Sequence, residues 1–181
     1  TTGASNTAVG TSALSANTTG PNNTAVGLSA LAANTTAANN TAVGRDALVA
    51  DTTGANNTAL GREAGKAVTT GGNNVLLGSE AGQNITTGQF NICIGPTDSG
   101  DDLVSGGFNV YMGFLTRASA NNVSDEMVIG AGNRVHLGKG ANTGFISPDI
   151  GNMFQGNNSA SWAQTSDQRL KKNIVNSTIG L

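Results

Sequence analysis

Asn-Thr-Ala-Val-Gly begins at Asn6, Asn23 and Asn40, and Asn-Thr-Ala-Leu-Gly at Asn57, each 17 residues after the last. The series continues at the same spacing as Asn74-Val-Leu-Leu-Gly78 and Asn91-Ile-Cys-Ile-Gly95. One extra residue, assigned to the Gly106-Gly107 pair, precedes Asn109-Val-Tyr-Met-Gly113; Glu126-Met-Val-Ile-Gly130 and Arg134-Val-His-Leu-Gly138 are weaker echoes. A strict short period over most of a chain restricts it to architectures in which each repeat stacks on its neighbours.

Two further columns share the period. Ala13, Ala30, Ala47, Ala64 and Ala81 follow each Asn at a constant distance, and Thr-Thr pairs recur at Thr18, Thr35, Thr52, Thr69 and Thr86. Each coil reads as a short strand, a Gly turn, a second short apolar segment and a Thr/Asn/Gly turn. The predicted fold is all-β, a parallel β-roll or β-solenoid of 17-residue coils over residues 1–144, with a capping or connector segment over 145–165 and a distinct tail over 166–181.

Side-chain alternation assigns faces to the strands. The third position after each Asn (Val9, Val26, Val43, Leu60, Leu77, Ile94, Met112, Ile129, Leu137) is always apolar and is expected inside. The position before it, Ala8, Ala25, Ala42, Ala59, Leu76, Cys93, Tyr111, Val128 and His136, is then expected outside, where small residues would admit a second chain. One such coil buries little apolar surface for the backbone it orders, so association is the natural remedy. The repeated Asn is expected to form a hydrogen-bonded ladder along the stack, since amides recurring at a strand spacing pair with one another.

Composition excludes several functions. Aromatics are 4% of the chain, charged residues 11%, and the net charge is −2. No basic stripe interleaved with aromatics offers a nucleic-acid surface. No apolar run reaches the ~20 residues of a membrane span, so no membrane insertion is expected. The single cysteine, Cys93, and single histidine, His136, have no partners at ligand spacing, so no metal and no cofactor is expected. Both are read as surface or interface side chains. Asp98, Asp101 and Asp102 lack the order of a calcium loop and read as a solvated turn.

The coils Asn22-Asn-Thr-Ala-Val-Gly27 and Asn39-Asn-Thr-Ala-Val-Gly44 resemble the Asn-Ser-Val-Ala-Ile-Gly coil of trimeric autotransporter adhesin heads, and similar coils occur in bacteriophage tail fibres. That resemblance implies a left-handed roll and a homotrimer. The segment Ser166-Asp-Gln-Arg-Leu-Lys-Lys-Asn-Ile174, with Gly180-Leu181, resembles the opening of the self-cleaving intramolecular chaperone that ends phage tail fibres and tailspikes. The resemblance implies Ser166 as nucleophile, Lys171 as its activating base and Ser166-Asp167 as the scissile bond, with a serine–lysine pair needing the amine desolvated. The residues alone also fit a helix start with Ser166 as N-cap.

The expectation is thus a non-enzymatic, receptor-binding part of a trimeric viral tail fibre on the virion. Its partners would be two further copies of the chain and a host-surface receptor such as a carbohydrate. A bacterial trimeric adhesin head is the first alternative. A tailspike depolymerase is the second, and it would need paired carboxylates shared between chains, such as Glu63 and Glu80. An ice-binding face is disfavoured because adjacent threonines point to opposite sides of a strand.

Overall fold

The computed structural model describes residues 2–148 and the strand segments 153–155 and 163–164. Each coil contributes one short strand: β1 (Thr7–Val9), β2 (Thr24–Val26), β3 (Thr41–Val43), β4 (Thr58–Leu60), β5 (Val75–Leu77), β6 (Ile92–Ile94) and β7 (Val110–Met112). There follow β8 (Thr116–Arg117), β9 (Glu126–Ala131), β10 (His136–Leu137), β11 (Thr143–Pro148), β12 (Met153–Gln155) and β13 (Ala163–Gln164). Strands β1 to β7, then β9 and β11, stack in parallel into one sheet, while β8 and β10 form a separate parallel pair. Register repeats the sequence period, Thr7 opposite Thr24 and Ala8 opposite Ala25. The parallel β-solenoid of 17-residue coils is as expected, and no helix occurs among the described residues.

Beyond β11 the direction reverses. Strand β12 runs antiparallel to β11, with Phe154 opposite Phe145, and β13 antiparallel to β12. Residues 166–181, including Ser166, Asp167 and Lys171, lie outside the described residues, as does Trp162.

The faces are the reverse of the sequence expectation. Ala25, Ala42, Ala59, Leu76, Cys93, Tyr111 and Val128 are completely buried, while Val9 and Leu60 are 57% and 52% exposed. The Asn that precedes each strand explains the parity. Asn23, Asn40, Asn57, Asn74, Asn91 and Asn109 are all buried, and alternation then carries the second residue after each Asn inward and the first and third outward. His136 and Cys93 follow the same parity: both are buried, so neither is the surface or interface residue expected.

The interior is only a side chain or two wide, and its two walls trade volume. Where the strand supplies Ala (Ala25, Ala42), the opposite wall supplies Leu31 and Leu48. Where the strand supplies Leu76, Cys93 or Tyr111, the opposite wall is Gly65, Gly82 or Gly100. A Cβ at Gly65 would lie 2.5 Å from Leu76 Cδ1 and 2.9 Å from Leu48 Cδ2, and one at Gly82 would lie 2.6 Å from Leu76 Cδ2. Such constant total volume is what a close-packed core demands.

The Asn ladder forms, chiefly by side chain to backbone. Asn40 N donates to Asn23 Oδ1 at 2.9 Å, Asn57 N to Asn40 Oδ1 at 2.7 Å and Asn74 N to Asn57 Oδ1 at 3.0 Å. Each Nδ2 donates to a turn carbonyl, as Asn40 does to Gly54 O at 2.7 Å and Asn57 to Gly71 O at 2.9 Å. The last rung is Glu126, whose N donates to Asn109 Oδ1 at 2.9 Å. Its buried carboxylate accepts from Tyr111 OH at 2.8 Å, Ser119 N at 3.1 Å and Gly140 N at 2.7 Å. A Glu in the Asn column was visible in the sequence; that its longer side chain would gather three donors was not.

The Thr pairs add a second ladder, with Thr18 Oγ1 donating to Thr35 O at 2.9 Å and Thr35 Oγ1 to Thr52 O at 3.0 Å. Cross-coil bonding also locates the extra residue. Gly65 N reaches Ala81 O, sixteen residues on, whereas Gly82 N reaches Ser99 O, seventeen on. Thr97 N still reaches back to Ser79 O at the spacing of Glu80 N to Arg62 O, so the insertion follows Thr97 and is not at Gly106-Gly107. Thr97 and Asp98 accommodate it with successive positive φ angles of 49° and 59°.

Candidate self-association face

The outward positions of β1 to β7 and β9 form one face of the sheet. In chain order its pairs are Thr7/Val9, Thr24/Val26, Thr41/Val43, Thr58/Leu60, Val75/Leu77, Ile92/Ile94, Val110/Met112 and Met127/Ile129. None carries a charge, and the first member changes from Thr to an aliphatic residue at β5. Val9, Leu60, Ile92 and Met112 are among the exposed large apolar side chains. Exposed apolar surface that is contiguous, rather than scattered, marks an interaction site.

The residue before each Asn forms the rim of this face, always with positive φ: Asn22 at 58°, Asn39 at 62°, Asn56 at 62°, Asn73 at 59°, Phe90 at 57° and Phe108 at 60°. Asn tolerates the left-handed region because its short polar side chain bonds locally. Here Asn22 Nδ2 donates to Asn39 Oδ1 at 3.3 Å, and Asn39 Nδ2 to Asn56 Oδ1 at 3.2 Å. Phe90 and Phe108 break that pattern and stack on each other, ring centroids 4.8 Å apart and planes inclined by 5°.

Charges are kept elsewhere, on the turns after the strands. Arg45 bridges Asp46 at 2.8 Å and Glu63 at 2.6 Å, Lys66 bridges Glu63 at 2.9 Å, and Arg62 spans Glu63 and Glu80. The hydrogen bond from Lys66 and the neighbouring Arg62 hold the Glu63 carboxyl below its usual range. Glu63 and Glu80, the carboxylates that a depolymerase would need, are thus both tied to cations.

The other chemical candidates are structural. Burial pushes the Cys93 thiol up to about 12, which removes the thiolate a nucleophile requires. His136 packs against Gly130, and its Nε2 is buried with no partner. Asp101 is largely buried, accepts from Asn84 Nδ2 and pairs with Arg117 at 3.2 Å. Asp98, raised by burial and by Asp101, accepts from Gln83 Nε2 at 2.7 Å. Among the described residues no three His, Cys, Asp or Glu side chains converge as metal ligands.

Comparison with known protein families, with curated proteins and with solved structures finds no match to this chain.

Proposed function

We propose that the chain is a structural, host-adhesive shaft of a trimeric viral tail fibre, not an enzyme, and that it assembles through the outward sheet face. The observation that carries this reading is the face itself: an uncharged, increasingly aliphatic strip repeated in every coil of a rod whose own interior is very narrow. A single copy leaves this strip in water, while copies laid side by side with coils level meet it with an identical strip and no charge repulsion. The viral assignment rests on the likeness of the coils and of the Ser166 segment to phage fibres. Ion-paired Glu63 and Glu80 favour the non-enzymatic reading over a depolymerase.

Light scattering at micromolar concentration is expected to give three times the chain mass, and a monomeric mass with intact strand circular dichroism overturns the assembly. The junction is tested separately. A longer chain extended through the whole chaperone is expected to be cut between Ser166 and Asp167, and Ser166→Ala or Lys171→Ala to leave one full-length band. Normal cleavage in the Ser166→Ala variant removes the viral assignment's strongest support.

A further inference from the structure

We propose that the stacked Phe90–Phe108 pair is the anchor on which a second copy of this chain docks, and that it sets the axial register between copies. This rests on the self-association reading above.

Four coils place Asn at the rim position, the residue type best suited to its positive φ, and two consecutive coils replace it with Phe. An aromatic side chain there raises the energy of the backbone without the local hydrogen bond that Asn gains. Both rings are also exposed, Phe90 by 45% and Phe108 by 62%. A residue that is unfavourable in conformation and in solvation persists where a contact outside the isolated fold compensates it.

The ring geometry selects the occupant. The planes are nearly parallel at 4.8 Å, so each ring spends one face on the other. Asn73 and Asp125 hold the same rim position on the adjoining coils, flanking the outer faces. A sugar ring stacks on an aromatic face, and this pair turns its edges sideways instead. Phe90 and Phe108 stand two residues before the outward pairs Ile92/Ile94 and Val110/Met112, of which Ile92 and Met112 are 37% and 38% exposed, so the surface suits an apolar protein partner.

Size and symmetry make that partner another copy. Eight strands ~4.8 Å apart and three residues of ~3.3 Å give a strip of ~400 Å2, about half of what one partner contributes to a stable interface. The Phe rim widens the strip where it is already most aliphatic, and buried aromatic anchors supply much of the energy of such interfaces. A periodic face also has a register problem, since sliding by one coil sets Thr-Ala-Val against Thr-Ala-Val again. The Phe pair occurs at one height, so only level copies bring the pairs together.

The test is Phe90→Asn with Phe108→Asn in the full chain, which installs the column's own residue and leaves the turn intact. The association constant from sedimentation equilibrium is expected to fall at least tenfold while far-UV circular dichroism of the same samples is unchanged. An unchanged association constant, with the unsubstituted chain still oligomeric, overturns the anchor and leaves the assembly reading standing. A monomeric unsubstituted chain overturns both. Should the Asn variant lose its strand signal, Phe90→Leu with Phe108→Leu keeps apolar volume while removing the stack, and the same tenfold criterion applies.

Discussion

The coils of β1 to β4 and those of β5 to β7 share one backbone path and one Asn ladder, yet they are filled differently. The first group sets Ala against Leu inside and Thr beside Val or Leu outside; the second sets Leu, Cys or Tyr against Gly inside and shows aliphatic pairs outside. A second interior column changes one coil earlier, from Asn17, Asn34 and Asp51 to Val68 in the β4 coil and then Ile85 and Leu103, all of them buried. Hydrogen bonding therefore fixes the coil, and the filling is free to vary as long as total volume is held. What the filling then decides is how greasy, and how pH-sensitive, each stretch of the rod is.

Exchanging the two fillings where the β4 and β5 coils meet is the strongest test of that division. Gly65→Leu forces a side chain against Leu76 and Leu48 at a φ of 60°, and Leu76→Ala empties a completely buried site. Each alone is expected to lower stability by ~2–5 kcal/mol, the first by overpacking and strain, the second by cavity formation. Together they set an Ala against a Leu across the step between the β4 and β5 coils and are expected to recover at least ~2 kcal/mol of the summed loss, a coupling that denaturant titration of the double-mutant cycle reads directly. Simple additivity would mean that the two walls do not compensate each other.

The polar end of the second column predicts a pH dependence in the N-terminal coils. Asp51 is buried, accepts from Gly54 N at 2.8 Å and Asn40 Nδ2 at 3.2 Å, and is pushed up to about 7 by burial, with Gly54 and Asn57 opposing. One coil back in the same column, Asn34 Nδ2 donates to Asn17 Oδ1 at 3.1 Å, whereas Asn34 Oδ1 is buried with no partner. An acid whose folded pKa lies above its ~3.9 in the unfolded chain stabilises fully below that value, and this stability is lost as pH rises toward 7. The loss is at most ~4 kcal/mol on a shift of about three units. Asp51→Asn removes the titrating group and restores the amide that Asn17 and Asn34 carry in this column. The variant is expected to be more stable than the unsubstituted chain at pH 7.5 and to melt at nearly the same temperature at pH 4.5 and 7.5, as followed by circular dichroism; a pH response as large as the original would place the titration elsewhere.

The period, the strand positions and the Asn ladder were legible in the sequence because they depend on spacing, which backbone hydrogen bonding enforces. Which side faced inward was not, because the most uniformly apolar column, Val9 to Ile129, proved to be the outer one. In β2 to β4 the strand turns its Ala inward and its Val or Leu outward, against the usual rule that the greasiest column is the core. The inner Asn could have corrected the reading, since a ladder of amides is worth most where water is absent. The position of the inserted residue was hidden for another reason: Gly106-Gly107 resembles a loop, whereas the real accommodation is a pair of positive φ angles at Thr97 and Asp98. The rim Phe pair was missed because a column of Asn interrupted twice looks like sequence noise until the rings are seen to stack.

If the ladder belongs equally to both regions, its removal must cost the same in each. Asn40 carries a rung among the Ala/Leu coils and Asn91 one among the Leu/Gly coils. Asn40 accepts from Asn57 N and donates to Gly54 O; Asn91 accepts from Asn109 N at 3.1 Å and donates to Gly106 O at 3.0 Å. Replacement by Ala takes the partner from one buried N–H and one buried carbonyl in either case, a loss of ~1–3 kcal/mol for each variant, with a further amide bond lost to Asp51 at Asn40 and to Asn74 and Asn109 at Asn91. The adjacent rim residue is the internal control, since Asn39→Gly removes two exposed amide hydrogen bonds at a φ of 62° that glycine tolerates and leaves no buried group unsatisfied. Chemical denaturation should therefore rank Asn40→Ala and Asn91→Ala together and Asn39→Gly well below them. A much smaller cost at Asn91 than at Asn40 would show that the apolar filling, and not the ladder, holds the C-terminal coils, and the two regions would then differ in what builds the coil as well as in what fills it.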